Sequence, residues 1–124
     1  MTEHIGSPIE LLDGCSTALG LVRPPGRCDS VEFIRSLQTR FQARYQRYLE
    51  YLRDGTPIKS PEHFRALQRE ADGLVVAELK VDKYRLYVVN RGIYWYATHG
   101  REKPKNNRVI VEINKALEIY KECA

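Results

Sequence analysis

Between Leu74 and Thr98 three short runs rich in Val, Leu and Tyr follow one another: Leu74 to Val81, Tyr84 to Asn90 and Ile93 to Thr98. Only Asp82-Lys83 and Asn90-Arg91-Gly92 connect them. β-Branched and aromatic side chains favour extended backbone, and connections this short join neighbouring antiparallel strands, so the segment predicts a meander. Side chains alternate across a strand, which splits each run into two faces. One face is apolar: Val75, Ala77, Leu79 and Val81 with Tyr84, Leu86 and Val88 and with Ile93, Trp95 and Ala97. The other mixes charge and phenols: Leu74, Val76, Glu78 and Lys80 with Arg85, Tyr87 and Val89 and with Tyr94, Tyr96 and Thr98. The first set reads as core. The second reads either as a solvated sheet face with cross-strand aromatic pairs or as a nucleic-acid surface, where cations hold phosphates and rings stack on bases.

Helical signals flank the meander. Asp29 with Glu32 three residues on resembles a capping box, and Phe33, Leu37, Phe41, Tyr45, Tyr48 and Leu52 then recur every three or four residues. This predicts one long helix over about 30–53, stopped at Asp54-Gly55. Ser60-Pro61-Glu62 reads as a second helix start, with Phe64, Leu67 and Ala71 on one face and Asp72-Gly73 as its end. The two helices would form an antiparallel hairpin packed on the sheet. A polar, basic loop over 99–107 leads to a last helix from Val109, with Val109, Ile113, Ala116 and Tyr120 sharing a face. Residues 1–28 carry the weakest signals; Thr17 to Arg23 allows a short strand, broken at Pro24-Pro25-Gly26.

The chain of 124 residues fits one domain spanning 1–124. No apolar run approaches the ~18 residues that span a bilayer, and the N-terminal Met1-Thr2-Glu3-His4 lacks a signal-like core, so a cytoplasmic protein with no membrane association is expected. Cys15, Cys28 and Cys123 are widely spaced, form no metal-ligand pattern and are expected to be reduced and incidental. No metal or cofactor is expected, and His4 and His63 belong to no constellation. Charge is concentrated in one place: from Leu74 to Arg108 eight bases face three acids, an excess larger than the +4 of the whole chain. A polyanionic partner fits that distribution.

At these residues a family pattern emerges. Glu78-Leu79-Lys80, Lys83-Tyr84-Arg85-Leu86-Tyr87, Tyr96-Ala97-Thr98-His99-Gly100-Arg101-Glu102-Lys103-Pro104 and Glu112-Ile113-Asn114-Lys115-Ala116 together resemble the C-terminal half of RelE/ParE toxins, nearest to the HigB and phage-derived branch. The likeness covers roughly Val31 to Cys123; Arg101 stands where the family has an aromatic residue, and the segment before Asp29 is longer than the family's first strand and turn. The resemblance implies a RelE-like α+β fold: an N-terminal helical hairpin on an antiparallel sheet of three to four strands, with a C-terminal helix.

The resemblance also implies a toxin that cuts mRNA on the ribosome by attack of a 2′-hydroxyl on the adjacent phosphate, neutralised by an antitoxin, commonly a helix-turn-helix protein. Such cleavage needs a base, an acid and cations for the phosphorane charge. Arg85 and Lys103 are the candidate phosphate clamps, and His99, with an ordinary pKa near neutrality, the candidate acid/base. Lys80, Tyr87, Tyr94, Tyr96, Arg101 and Lys105 are the candidate RNA contacts. Plainer roles stand beside these: a surface ion pair of Glu78 with Lys80 or Arg85, a packing role for His99, and cross-strand packing of Tyr94 with Tyr96. Two further expectations are a gyrase-type toxin and a phage-derived binding module, both acting without cleavage.

Overall fold

The structure, a computed structural model, describes residues 8–24, 26–105 and 108–123; the first residues of the chain, His4 among them, lie outside these. In chain order the elements are β1 (Ile9–Glu10), β2 (Ala18–Gly20), α1 (Asp29–Arg35), α2 (Thr39–Asp54), β3 (Phe64–Arg69), β4 (Val75–Val81), β5 (Tyr84–Arg91), β6 (Tyr94–Glu102) and α3 (Val109–Cys123). The six strands form one mixed sheet in the order β1-β2-β6-β5-β4-β3. β2 runs parallel to β6, and the other neighbours are antiparallel.

Two features correct the expected architecture: the sheet has six strands rather than three to four, and no helical hairpin precedes the meander. The expected helix over 30–53 is broken at Ser36-Leu37-Gln38. There the Ser36 hydroxyl donates to the Phe33 carbonyl at 2.6 Å, Leu37 is buried, and the Gln42 amide donates to the freed Leu37 carbonyl at 2.8 Å. A serine that bonds back to its own turn competes with the helix ladder, and the buried leucine fixes the corner. The expected stop at Gly55 is present as a left-handed cap, φ 71°.

The second expected helix is the edge strand β3. Phe64 and Leu67 suggested one helix face because they lie three residues apart. In a strand that odd spacing sends them to opposite faces, and each meets an apolar layer there. Phe64 packs into the core beneath α2, while Leu67 packs with Leu74, Val76 and the apolar side of α3. A bulge between Ala66 and Gln68 adjusts the register against β4.

The sheet therefore lies between two helical layers. On one side Ala77, Leu79, Val81, Leu86, Val88 and Ala97 pack against Phe41, Tyr45, Tyr48 and Leu49 of α2. This is the face expected to be core, except that Ile93, assigned to it, is 70% exposed in the β5–β6 turn. The sheet coils strongly around α2: Phe64 and Trp95, on strands three places apart, meet with ring centroids 6.0 Å apart. On the other side Ile113, Ala116 and Leu117 of α3 cover Leu74, Val76, Tyr87 and Val89. The polar face is thus only partly open, since α3 covers its middle.

Candidate nucleic-acid interface

The register of the meander stacks side chains of the α3-facing side in rows. Lys80 on β4, Arg85 on β5 and Arg101 on β6 are direct cross-strand neighbours, and the next row is Arg65, Glu78, Tyr87 and His99. A second bulge builds these rows: Val88 pairs with Ala97 but Tyr87 pairs with His99, leaving Thr98 unopposed. That extra residue moves His99 from the core side, where alternation had placed it, to the α3 side. It also turns Gly100 toward α1, where a Cβ would collide with the Phe33 ring. The strand continues through Glu102, so the expected loop over 99–107 starts four residues late.

Beside the first row opens a recess of about 210 Å³ lined by Arg65, Glu78, Lys80, Arg85 and Lys103, with Pro104 and the first residue of α3, Val109, as its apolar part. Four cations surround one carboxylate. Arg85 is buried, and its Nη1 donates to the carbonyls of Asp82 (3.0 Å) and Tyr84 (2.8 Å), which fix the guanidinium in place. Glu78 is closer to Arg65, at 3.1 Å, than to Arg85, at 3.9 Å. Among the described residues Lys80 and Lys103 form no ion pair. Desolvation lowers the pKa of Lys80, and the nearby charges of Arg65, Arg85 and Lys103 act in the same direction against Glu78. The dipole of α3 adds positive potential at its first turn.

Other sequence candidates fall elsewhere. His99 is buried, with Nε2 2.8 Å from Glu112 Oε1 and Nδ1 3.0 Å from the Thr98 hydroxyl. Desolvation holds its pKa down at about 4, outweighing the Glu112 carboxylate, so it is neutral at pH 7. At 2% exposure, with both ring nitrogens engaged, its surroundings favour the packing and hydrogen-bonding role over the acid/base one. Tyr87 is fully buried, stacked on His99 with centroids 4.7 Å apart; it offers no ring to a base. Arg101 is exposed and anchored to Glu112 at 2.9 Å. Tyr94 and Tyr96 stack on each other, and Tyr96 packs at a tilt against Tyr120, at the far end of β6, about 20 Å from the cation row at ~3.3 Å per residue. Lys105 is exposed and does not line the recess.

The recess thus unites Lys80, Arg85 and Lys103 from the sequence candidates and adds Arg65 and Glu78 to its lining. Arg65 was missed because β3 read as a helix. Glu112 was quoted only as part of a helix pattern, although it ties His99 and Arg101 to α3. Among the described residues no three His, Cys, Asp or Glu side chains are grouped to hold a metal ion, and the three cysteines are free thiols. No described helix is long and apolar enough to cross a membrane. No protein-family model, curated protein or solved structure matches the chain.

Proposed function

We propose that the protein is a toxin-type endoribonuclease that grips the scissile phosphate of mRNA in the cationic recess. The observation that carries this reading is the cross-strand row Lys80, Arg85 and Arg101 with Lys103 beside it. Like charges directly opposite one another destabilise a sheet, and a bound polyanion relieves that repulsion. Arg85 supplies a fixed guanidinium and Lys103 an ammonium for the charge on the phosphorane. Lys80, whose amine gives up its proton more readily than an ordinary lysine, takes the proton of the attacking 2′-hydroxyl. The 5′-oxygen leaves with a proton from Lys103, giving a 2′,3′-cyclic phosphate and a 5′-hydroxyl. The ribosome as the place of cleavage, and a helix-turn-helix antitoxin that covers the basic face, rest on the resemblance to RelE/ParE toxins alone.

A second reading, a toxin or phage-derived module that acts by binding alone, as in gyrase inhibition, is favoured by one observation: the histidine of the basic segment is buried and held by Glu112 of α3. Expression in bacteria with mapping of mRNA 5′ ends separates the two. Growth arrest with new mRNA ends, lost in Arg85→Ala and Lys103→Ala at matched soluble expression, supports cleavage. Each removed cation should cost about 10²–10³-fold in rate. Growth arrest without new ends supports the binding reading.

A further inference from the structure

A second concentration of charge lies on the opposite side of the sheet. Arg40, Arg44 and Arg47 of α2 are all exposed, whereas Phe41, Tyr45, Tyr48 and Leu49 of the same helix are buried in the core. At 3.6 residues per turn the three arginines fall within an arc of about 60°, spaced ~6 and ~4.5 Å along the axis. Among the described residues none of them forms an ion pair. Solvated helix faces commonly intersperse acids three or four residues from their bases; here the only one so placed is Glu50, three residues beyond Arg47. Aromatic rings hold two of the guanidiniums to the helix surface: Arg40 lies 4.5 Å from the centroid of Phe41, and Arg44 donates to the Tyr48 hydroxyl at 3.4 Å. The other face of the Tyr48 environment is taken by His63, stacked at 5.7 Å.

We propose that this arginine ladder docks the backbone of double-helical RNA, separately from the recess; the inference deepens the RNA reading given above and rests on it. A regular row of cations a few ångströms apart matches the regular phosphate spacing of a nucleic-acid strand. A protein partner would need apolar anchors at the centre of its contact, and the ladder offers only Ala43 between its arginines. Unpaired RNA bases need exposed rings to stack on, yet the aromatic residues of this helix next to the ladder, Phe41, Tyr45 and Tyr48, are buried. A duplex keeps its bases inside and presents its backbone, so it suits this surface best.

The test is fluorescence anisotropy with two labelled probes, an RNA duplex of about 16 base pairs and an unstructured single strand, over a range of salt. The proteins are the parent, a triple variant Arg40→Gln, Arg44→Gln, Arg47→Gln, the corresponding Arg→Lys triple, and Lys80→Gln with Lys103→Gln; circular dichroism checks each fold. The Gln triple should weaken duplex binding at least about tenfold and flatten the log–log salt slope by about 2–3, with the Lys triple restoring both. Its single-strand affinity should stay within about twofold of the parent, because the recess remains. Unchanged duplex affinity and slope in the Gln triple would overturn the ladder, as would polyglutamate displacing the duplex as effectively as unlabelled duplex does. If the recess pair leaves single-strand binding intact while the Gln triple loses the duplex, the recess reading fails and the ladder stands.

Discussion

Arg85 lies directly across the β4–β5 ladder from Lys80, and its guanidinium is held there by two backbone carbonyls rather than by a close carboxylate. The nearest acid, Glu78, is 3.9 Å away and closer to Arg65. The cost of this arrangement is local repulsion; its effect is a fixed cation at the wall of an open recess.

Burial of neutral His99 makes stability depend on pH. Its folded pKa is about 4, against 6.5 for an unhindered histidine, so between these values the unfolded chain binds more protons. This contribution is therefore fully present above about pH 6.5 and is lost as pH falls toward 4, at about 1.4 kcal/mol per pH unit. Urea unfolding at a series of pH values should show that slope, and His99→Gln should remove the histidine's share. Equal slopes in the two proteins would mean that His99 titrates normally.

The Tyr87 hydroxyl is buried and, among the described residues, has no hydrogen-bond partner. An unsatisfied buried polar group costs about 1–3 kcal/mol. Tyr87→Phe should accordingly raise the unfolding free energy or leave it unchanged, whereas Tyr87→Ala should lower it by about 3–5 kcal/mol through the cavity it leaves under α3. A clear loss of stability in Tyr87→Phe would show that the hydroxyl is satisfied.

The backbone at Gly100 lies against the Phe33 ring, leaving no space for a Cβ. Gly100→Ala should destabilise the fold by about 1–3 kcal/mol through overpacking, and Phe33→Leu in the same chain should recover part of that loss. Thermal melts of the three variants decide it, and an additive double variant would contradict the contact.

Much of the meander was readable because a strand that buries one face writes period two into its sequence: Ala77, Leu79, Leu86, Val88 and Ala97 lie in the core beneath α2 as their parity demanded. Parity failed where the backbone departs from it. The bulge at Thr98 reverses His99, and nothing in Tyr96-Ala97-Thr98-His99 marks an extra residue. β3 escaped because each of its faces carries one packed apolar residue, Phe64 on one and Leu67 on the other, which erases alternation and leaves a spacing of three. The recess was half legible. Lys80, Arg85 and Lys103 could be grouped from strand order, whereas Arg65 required β3 to be a strand, and the burial of Tyr87 required α3 to be laid across the sheet.

RNA binding and cleavage by the recess itself decide whether it is the site of phosphate capture. An unstructured RNA strand is titrated at increasing salt against the parent, Arg85→Gln, and Lys80→Gln with Lys103→Gln, and cleavage by each of an mRNA held on purified ribosomes is resolved on a gel; Leu79→Ala, a core residue expected to cost about 2–5 kcal/mol, serves as the stability control. Binding should weaken steeply with salt, with a slope reduced by about 1 for each cation removed, and products ending in 2′,3′-cyclic phosphate should disappear in both recess variants while their melting temperatures hold. Binding and cleavage that persist at parental strength in Arg85→Gln and in the lysine pair would contradict phosphate capture in the recess.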